Sequence, residues 1–250
     1  MAVFKTSAII TKSSPYRDHD KLLTLFTLGR GKLRALCKRS RHTLNRWSSS
    51  FEPPLLCNIQ LYEKNQYYTL TEITVEEPFL FLSQSLRNVL AVQSMSYIID
   101  HFTVLEMEQD SLFYLLLSVL HVLEYKECSA FFGSYYFALQ FLKESGFALQ
   151  FQSCSECHSS LVNQRFSFSL QKNSFFCEKC TLDHHLYPRF DASLLTQLES
   201  LYYGSLNEMK GKQKELSLFN YSEIDRIMKE LYKGFLSKEC LTINHFEKFS

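Results

Sequence analysis

Cys154, Cys157, Cys177 and Cys180 form two C-x-x-C pairs separated by nineteen residues. Each C-x-x-C step bends the backbone so that two thiolates converge, and two such steps complete a tetrahedron around Zn²⁺. The spacing lies within the window of a zinc site; two disulfides or four unrelated thiols are the competing readings. Four thiolates leave no open coordination position, so the sequence predicts one structural Zn²⁺ per chain rather than a catalytic one. Between the pairs, Phe166, Phe168 and Leu170 alternate with Ser167 and Ser169 as one arm of a hairpin. Gln171-Lys172-Asn173-Ser174 supply its turn before Phe175 and Phe176.

The second chemical feature is a cluster of cations. Residues 1–50 carry eleven lysines and arginines against Asp18 and Asp20 alone, a surplus of nine positive charges. Residues 81–150 reverse the sign, with seven carboxylates against Arg87, Lys126 and Lys143. Such asymmetry points to a polyanion as partner of the first segment. Within it, Lys32, Arg34 and Lys38 alternate with Leu33, Ala35 and Cys37. If the latter three face a core, the three cations point outward in a row. Arg39, Arg41 and Arg46 extend the patch, and Trp47 and Tyr62 offer stacking surfaces or core filler. Cations with nearby aromatics suit sequence-independent phosphate binding. Six phosphate contacts predict a log–log salt slope of about −4 on single strands.

Other candidates carry less. Gly29-Arg30-Gly31-Lys32 lacks P-loop spacing and reads as a hairpin turn. Asp18-His19-Asp20 are adjacent, and three neighbours in a strand do not all face one ion. His184 and His185 follow a zinc set already complete. Cys37, Cys57, Cys128 and Cys240 are isolated and read as small buried hydrophobes. No nucleophile–base pair or dinucleotide fingerprint is visible, and the prediction is a non-enzyme.

The elements that must position these groups fall into two regimes. Up to about residue 80 the apolar period is two. Short strands are expected over Phe4–Thr11, Leu22–Leu28, Lys32–Lys38, Leu55–Tyr62 and Tyr67–Val75, with a Ser-Ser-Pro turn at 13–15 and a helix-prone connection at 43–50. Five strands so arranged fit a small, partly open OB-fold barrel. From residue 82 the period becomes 3.6. Met95, Ile98, Ile99 and Phe102 make one stripe, Leu112, Leu115, Leu116, Val119 and Leu123 the next, and Phe131, Tyr135, Ala138, Leu139 and Leu142 a third, which Gly146 can cap. Leu194, Leu198 and Leu201 follow, then Gly204–Ser217 as a polar linker. A last helix carries Ile224, Ile227, Met228, Leu231 and Phe235, with Ser222 and Asp225 as its capping box. The predicted class is α+β: an OB-fold at 1–80, then a helical bundle at 81–250 with a four-cysteine zinc hairpin inserted at about 151–183.

Glycine and proline are scarce, at seven and five of 250 residues, which argues for a folded chain with a real core. Met1–Pro15 lacks the apolar core of a signal peptide, and Leu112–Leu123 is too short to cross a bilayer. Eight cysteines without an export signal fit a reducing compartment, so a cytoplasmic protein is expected.

The order of parts resembles the bacterial recombination mediator family RecO. Its barrel reads Y-x-E-x-D, LFT, GK, a basic K-G-A-R segment and an E-P-F-like stretch. Here Tyr16-Arg17-Asp18-His19-Asp20, Leu25-Phe26-Thr27, Gly31-Lys32, Lys38-Arg39-Ser40-Arg41 and Phe51-Glu52-Pro53-Pro54 occupy those places in the same order. Arg39 and Ser40 replace the small Gly-Ala pair, and Asn173-Ser174 stand where Gly-Gly often precedes the second cysteine pair. The resemblance covers nearly the whole chain. It implies binding of single- and double-stranded DNA, annealing of complementary strands, and action with RecR to load RecA. Loading takes place on DNA coated by single-strand-binding protein, whose acidic C-terminal tail such proteins contact. A nucleoid-associated location follows from the same resemblance. Two alternatives differ in kind: a metal-dependent nuclease using Asp18, Asp20 and a carboxylate such as Glu72, and a zinc-ribbon adaptor that binds protein only.

Overall fold

A computed structural model describes residues 2–40, 51–169, 174–181, 189–211, 223–224 and 226–228. The chain divides into two compact units, Met1–Ser134 and Tyr135–Ser250. The first takes in the five strands and the first two α-helices after them.

The strands are β1 (Ala2–Tyr16), β2 (Asp20–Thr27), β3 (Gly31–Cys37), β4 (Leu55–Lys64) and β5 (Tyr67–Glu77). They form a barrel in the order β1-β2-β3-β5-β4, with β1 pairing to both β2 and β4 and a two-residue parallel contact joining β3 to β5. Alternation supplies its core. Ala8, Ile10, Leu23, Leu25, Leu33, Ala35, Cys37, Cys57, Ile59, Leu61 and Leu70 all point inward and are buried. Burial pushes the thiols of Cys37 and Cys57 up to about 11 and about 12, as inert core side chains require.

The expected turn at 13–15 is not there. β1 runs through it, with Ser13, Ser14 and Pro15 opposite Leu23, Leu22 and Lys21. A bulge between Ile10 and Lys12 bends the strand instead, which lets one long strand serve two neighbours. The connection 43–50, with Arg46 and Trp47, and Arg41 before it lie outside the described residues.

A 3-10 turn (Leu80–Ser83) leads to α1 (Leu86–Phe102) and α2 (Asp110–Glu124). The side chain of Ser85 caps α1 by accepting from the Asn88 N–H at 3.2 Å. The stripes predicted for these helices are their buried faces: Met95, Ile98 and Ile99 in α1, and Leu112, Leu116, Val119 and Leu123 in α2.

The second unit contains most of α3 (Ala130–Glu144), then β6 (Phe166–Ser169), β7 (Ser174–Cys177), β8 (Arg189–Phe190), α4 (Ala192–Tyr203) and α5 (Leu206–Gly211). Gly146, at φ 84°, ends α3 with its N–H on the Lys143 carbonyl, as predicted. Gln140 donates to the carbonyls of Leu201 and Tyr202 at 2.8 and 2.9 Å, satisfying the end of α4. The stretch read as a linker from Gly204 begins with α5 instead. Ser205 and Glu208 make a reciprocal capping box: the Glu208 carboxylate accepts from the Ser205 N–H at 2.9 Å, and Ser205 Oγ accepts from the Glu208 N–H at 3.3 Å. Ser174 belongs to β7 rather than to the hairpin turn, and residues 170–173 lie outside the described residues, as do His184 and His185. Residues 223–224 and 226–228 are helical, with Ile224, Ile227 and Met228 buried, while Ser222, Asp225, Leu231 and Phe235 lie outside. Among the described residues no helix is long and apolar enough to cross a membrane.

Candidate nucleic-acid surface and metal centre

On β3 the alternation holds for the inward set, since Leu33, Ala35 and Cys37 are fully buried. The outward row is broken at Lys32, which is 4% exposed. Its ammonium donates to the carbonyl of Ile99 at 3.3 Å and to that of Asp100, at the end of α1. The segment after α1 covers this part of the sheet: the Glu106 N–H donates to the Lys32 carbonyl at 3.0 Å, and Leu105 bridges Lys32 in parallel. Lys32 is therefore withdrawn from any outer surface. Burial pulls its pKa below 10.5, with Asp100 opposing the shift.

Arg34 is exposed but tethered, with its guanidinium 3.3 Å from Asp100 Oδ1. Lys12 reaches the other oxygen of that carboxylate at 3.7 Å. Lys5, Lys21 and Arg30 pair with Glu72, Glu52 and Glu63 at 3.3, 3.8 and 3.2 Å, and Arg30 also lies over the Phe4 ring at 3.8 Å. The sequence showed these cations and not their partners.

Lys38 and Arg39 are both exposed in the turn after β3. Arg39 takes the left-handed conformation, φ 54°, and its N–H donates to Asp20 Oδ1 at 2.8 Å. This bond ties the β3 turn to the β1–β2 hairpin, where Tyr16 and Asp20 pair and Arg17 lies over the Tyr16 ring at 5.3 Å. One end of the barrel thus gathers Arg17, Lys38, Arg39 and a partly exposed tyrosine, a feature that strand alternation alone did not reveal. Arg41 and Arg46 lie outside the described residues. Tyr62 is half-buried on β4, with β5 between it and β3.

The nuclease carboxylates are not brought together. Asp20 holds the Arg39 amide, Asp18 is exposed, and Glu72 pairs with Lys5 on another part of the barrel.

The four cysteines do converge. Among the described residues they are the one group able to hold a metal ion, with sulfurs all within 4.8 Å of one another. The sequence folds this way because β6 and β7 pair Phe166 with Cys177, Ser167 with Phe176 and Phe168 with Phe175. The second cysteine pair therefore sits at the end of the hairpin. The first turn is fixed by Ser155 N–H on the Phe175 carbonyl at 3.0 Å and His158 N–H on the Cys154 carbonyl at 2.9 Å. The second is fixed by Cys180 N–H and Thr181 Oγ1 on the Cys177 carbonyl, at 3.1 and 3.0 Å. Phe151, Phe166, Phe168, Phe175 and Phe190 form the apolar support beneath, with neighbouring ring centroids 5.0–5.6 Å apart.

The donor set fits a tetrahedral ion. Thiolates at about 2.3 Å from a metal stand about 3.8 Å apart, and Cys157 Sγ is 3.7 Å from Cys177 Sγ. Hydrogen bonds from Ser159 pull the Cys157 thiol down to about 6, while those with Cys157 and Cys177 push Cys180 up to about 12. Thiolates so close repel one another until a cation sits among them.

Comparison with known proteins agrees with this anatomy. Residues 1–79 match the family described as "Recombination protein O N terminal", and residues 83–233 match "Recombination protein O C terminal". The DNA repair protein RecO of Caldicellulosiruptor bescii is 25% identical over 246 residues, covering 98% of each chain. That of Desulforamulus reducens is 22% identical over 248 residues, covering 99% of this chain and 95% of its own. That of Syntrophus aciditrophicus is 28% identical over 183 residues, 72% of this chain and 70% of its own. With an OB-like five-stranded domain, a following helical region and family matches along nearly its whole length, the chain belongs to the RecO family of DNA repair and recombination proteins.

Proposed function

We propose that the barrel at residues 1–80 grips the sugar-phosphate chain of single- and double-stranded DNA without reading bases, and that the protein anneals complementary strands. It acts with RecR to help load RecA onto DNA coated by single-strand-binding protein, contacting that protein's acidic C-terminal tail through the helical domain at 81–250. The observation that carries this reading is the bond from the Arg39 N–H to Asp20, which sets Lys38 and Arg39 beside Arg17 at one end of the barrel. Cations there can lower strand–strand repulsion while leaving base edges free, which is what annealing demands.

The contact is narrower than sequence alone suggested. With Lys32 buried and Arg34 tethered, the phosphate-binding set is Lys38 and Arg39, joined by Arg41 and Arg46. Four contacts give a salt slope of about −2.8 on single strands, rather than about −4. The role is that of a mediator and not an enzyme, in the cytoplasm at the nucleoid, with no membrane partner. The four thiolates hold one structural Zn²⁺ per chain, whose ligand set is full and leaves no place for a substrate.

The test is annealing of complementary oligonucleotides coated with the cognate single-strand-binding protein, at two salt concentrations. Replacement of Lys38, Arg39, Arg41 and Arg46 by glutamate should abolish annealing in a folded protein. Annealing retained by that quadruple variant would overturn the proposal.

A further inference from the structure

Asp100 stands in the last turn of α1, where the helix carbonyls already make the potential negative and a carboxylate is disfavoured. Three cations of the barrel converge on it. Lys12 and Arg34 take one carboxylate oxygen each, at 3.7 and 3.3 Å, and the buried Lys32 ammonium donates to its backbone carbonyl. The Asp100 side chain is 11% exposed, against 59% and 54% for Lys12 and Arg34. The barrel's Lys5–Glu72 pair differs in kind, for both its partners lie in solvent, where such pairs exchange readily. The geometry on the sheet is also ordered: Lys12 pairs with Thr24, and Thr24 with Arg34, across β1, β2 and β3. Two cations thus straddle the buried Thr24 on one face, about two strand spacings apart, and a single oxyanion spans them.

We propose that Asp100 is an internal surrogate for a phosphate, an autoinhibitory contact that withholds Lys12 and Arg34 from DNA and confines binding to the far turn at Lys38 and Arg39. This rests on the DNA-binding reading given above. A cation already neutralised by a fixed carboxylate displaces no condensed counterion from DNA, so it adds nothing to the salt dependence of binding. Freed, it adds about 0.7 per phosphate on single strands.

The experiment is a salt series with a fluorescein-labelled oligo-dT, read by anisotropy, on the full chain, Asp100→Asn and Lys12→Gln, each checked for folding by thermal melting. Asp100→Asn keeps the backbone carbonyl that holds Lys32 and removes only the charge. It should tighten binding at the lowest salt and steepen the slope by up to about 1.4. Lys12→Gln should leave the slope of the parent chain unchanged. A slope in Asp100→Asn equal to or shallower than the parent's overturns the proposal, and so does a loss of about 0.7 in Lys12→Gln. If Asp100→Asn does not fold, Lys12→Gln decides alone. A parent chain that binds with a salt-linked affinity, yet ignores both substitutions, loses this inference and keeps its DNA-binding role. A parent that does not bind loses both.

Discussion

The ammonium of Lys32 donates to the carbonyl of Ile99 across 3.3 Å and ties β3 to the last turn of α1. A lysine that sequence alternation assigns to an outer, DNA-facing row is thus a helix cap. The same carbonyl accepts from Thr103 Oγ1 at 2.6 Å and Thr103 N–H at 3.3 Å, so the end of α1 is satisfied by its own C-cap and by the barrel together.

Lys32→Met keeps most of the stem and removes the donor. The substitution should cost about 1–3 kcal/mol in urea unfolding, because it strips the buried Ile99 carbonyl and the partly buried Asp100 carbonyl of their Lys32 donor. It should leave the salt slope of DNA binding unchanged. The pH dependence has a definite sign. Burial, the main cause, holds the Lys32 pKa below 10.5, so the unfolded chain binds the proton more tightly than the folded one. The penalty is complete below the depressed folded pKa and lifts as pH rises through it toward 10.5. The parent chain should therefore gain stability relative to Lys32→Met over that window. A difference that shrinks with rising pH would contradict the burial of the charge.

Gly31 and Gly29 bracket one turn and predict unequal costs. Both have positive φ, 61° and 78°. A Cβ on Gly31 would stand 1.8 Å from the Met107 carbonyl oxygen, whereas one on Gly29 meets nothing within 4 Å. Gly29→Ala should lose about 1–2 kcal/mol, the cost of the left-handed backbone. Gly31→Ala must in addition push the 103–109 segment off β3, so its loss should be clearly larger. Paired urea curves decide it, and equal losses would mean that Met107 gives way freely.

Much of this architecture was legible because period and spacing are local properties. The strand alternation, the helical stripes at Met95–Ile99 and Leu112–Leu123, and the two cysteine pairs all follow from neighbours in the chain. What covers a surface is not local. Nothing near Lys32 in the sequence announces that residues 99–107 return to lie on it, or that Asp100 reaches both Lys12 and Arg34. The passage of β1 through Pro15 was hidden for a related reason: a Ser-Ser-Pro triplet reads as a turn until its pairing with β2 is known. α5 was readable in principle, since Ser205-x-x-Glu208 is a capping box in plain sight, but a lysine-rich composition masked it.

Removing the metal should open the hairpin and spare the barrel. Structural Zn²⁺ contributes on the order of 10 kcal/mol in small zinc peptides, and the 151–181 segment hangs its two turns on four thiolates. Elemental analysis of protein purified without chelator should give one zinc per chain. Cys154→Ser, or a strong chelator, should expose the buried Phe166, Phe168 and Phe175 and raise hydrogen exchange there, with β1–β5 unaffected. Protein without zinc but with a protected hairpin would refute the assignment.

Arg39 offers a separation of folding from binding. It occupies a left-handed position, φ 54°, where the family pattern places glycine, and its backbone N–H is held by Asp20 whatever the side chain. Arg39→Gly relieves the backbone and removes a cation. Glycine's greater freedom in the unfolded chain offsets part of the gain, so stability should be unchanged or higher by up to about 1 kcal/mol. If Arg39 contacts a phosphate, the salt slope on single strands should fall in magnitude by about 0.7 with no loss of fold. A stable Arg39→Gly protein with the parent's slope would move the DNA contact away from this turn, because a lost cation that leaves counterion release unchanged was never facing the strand.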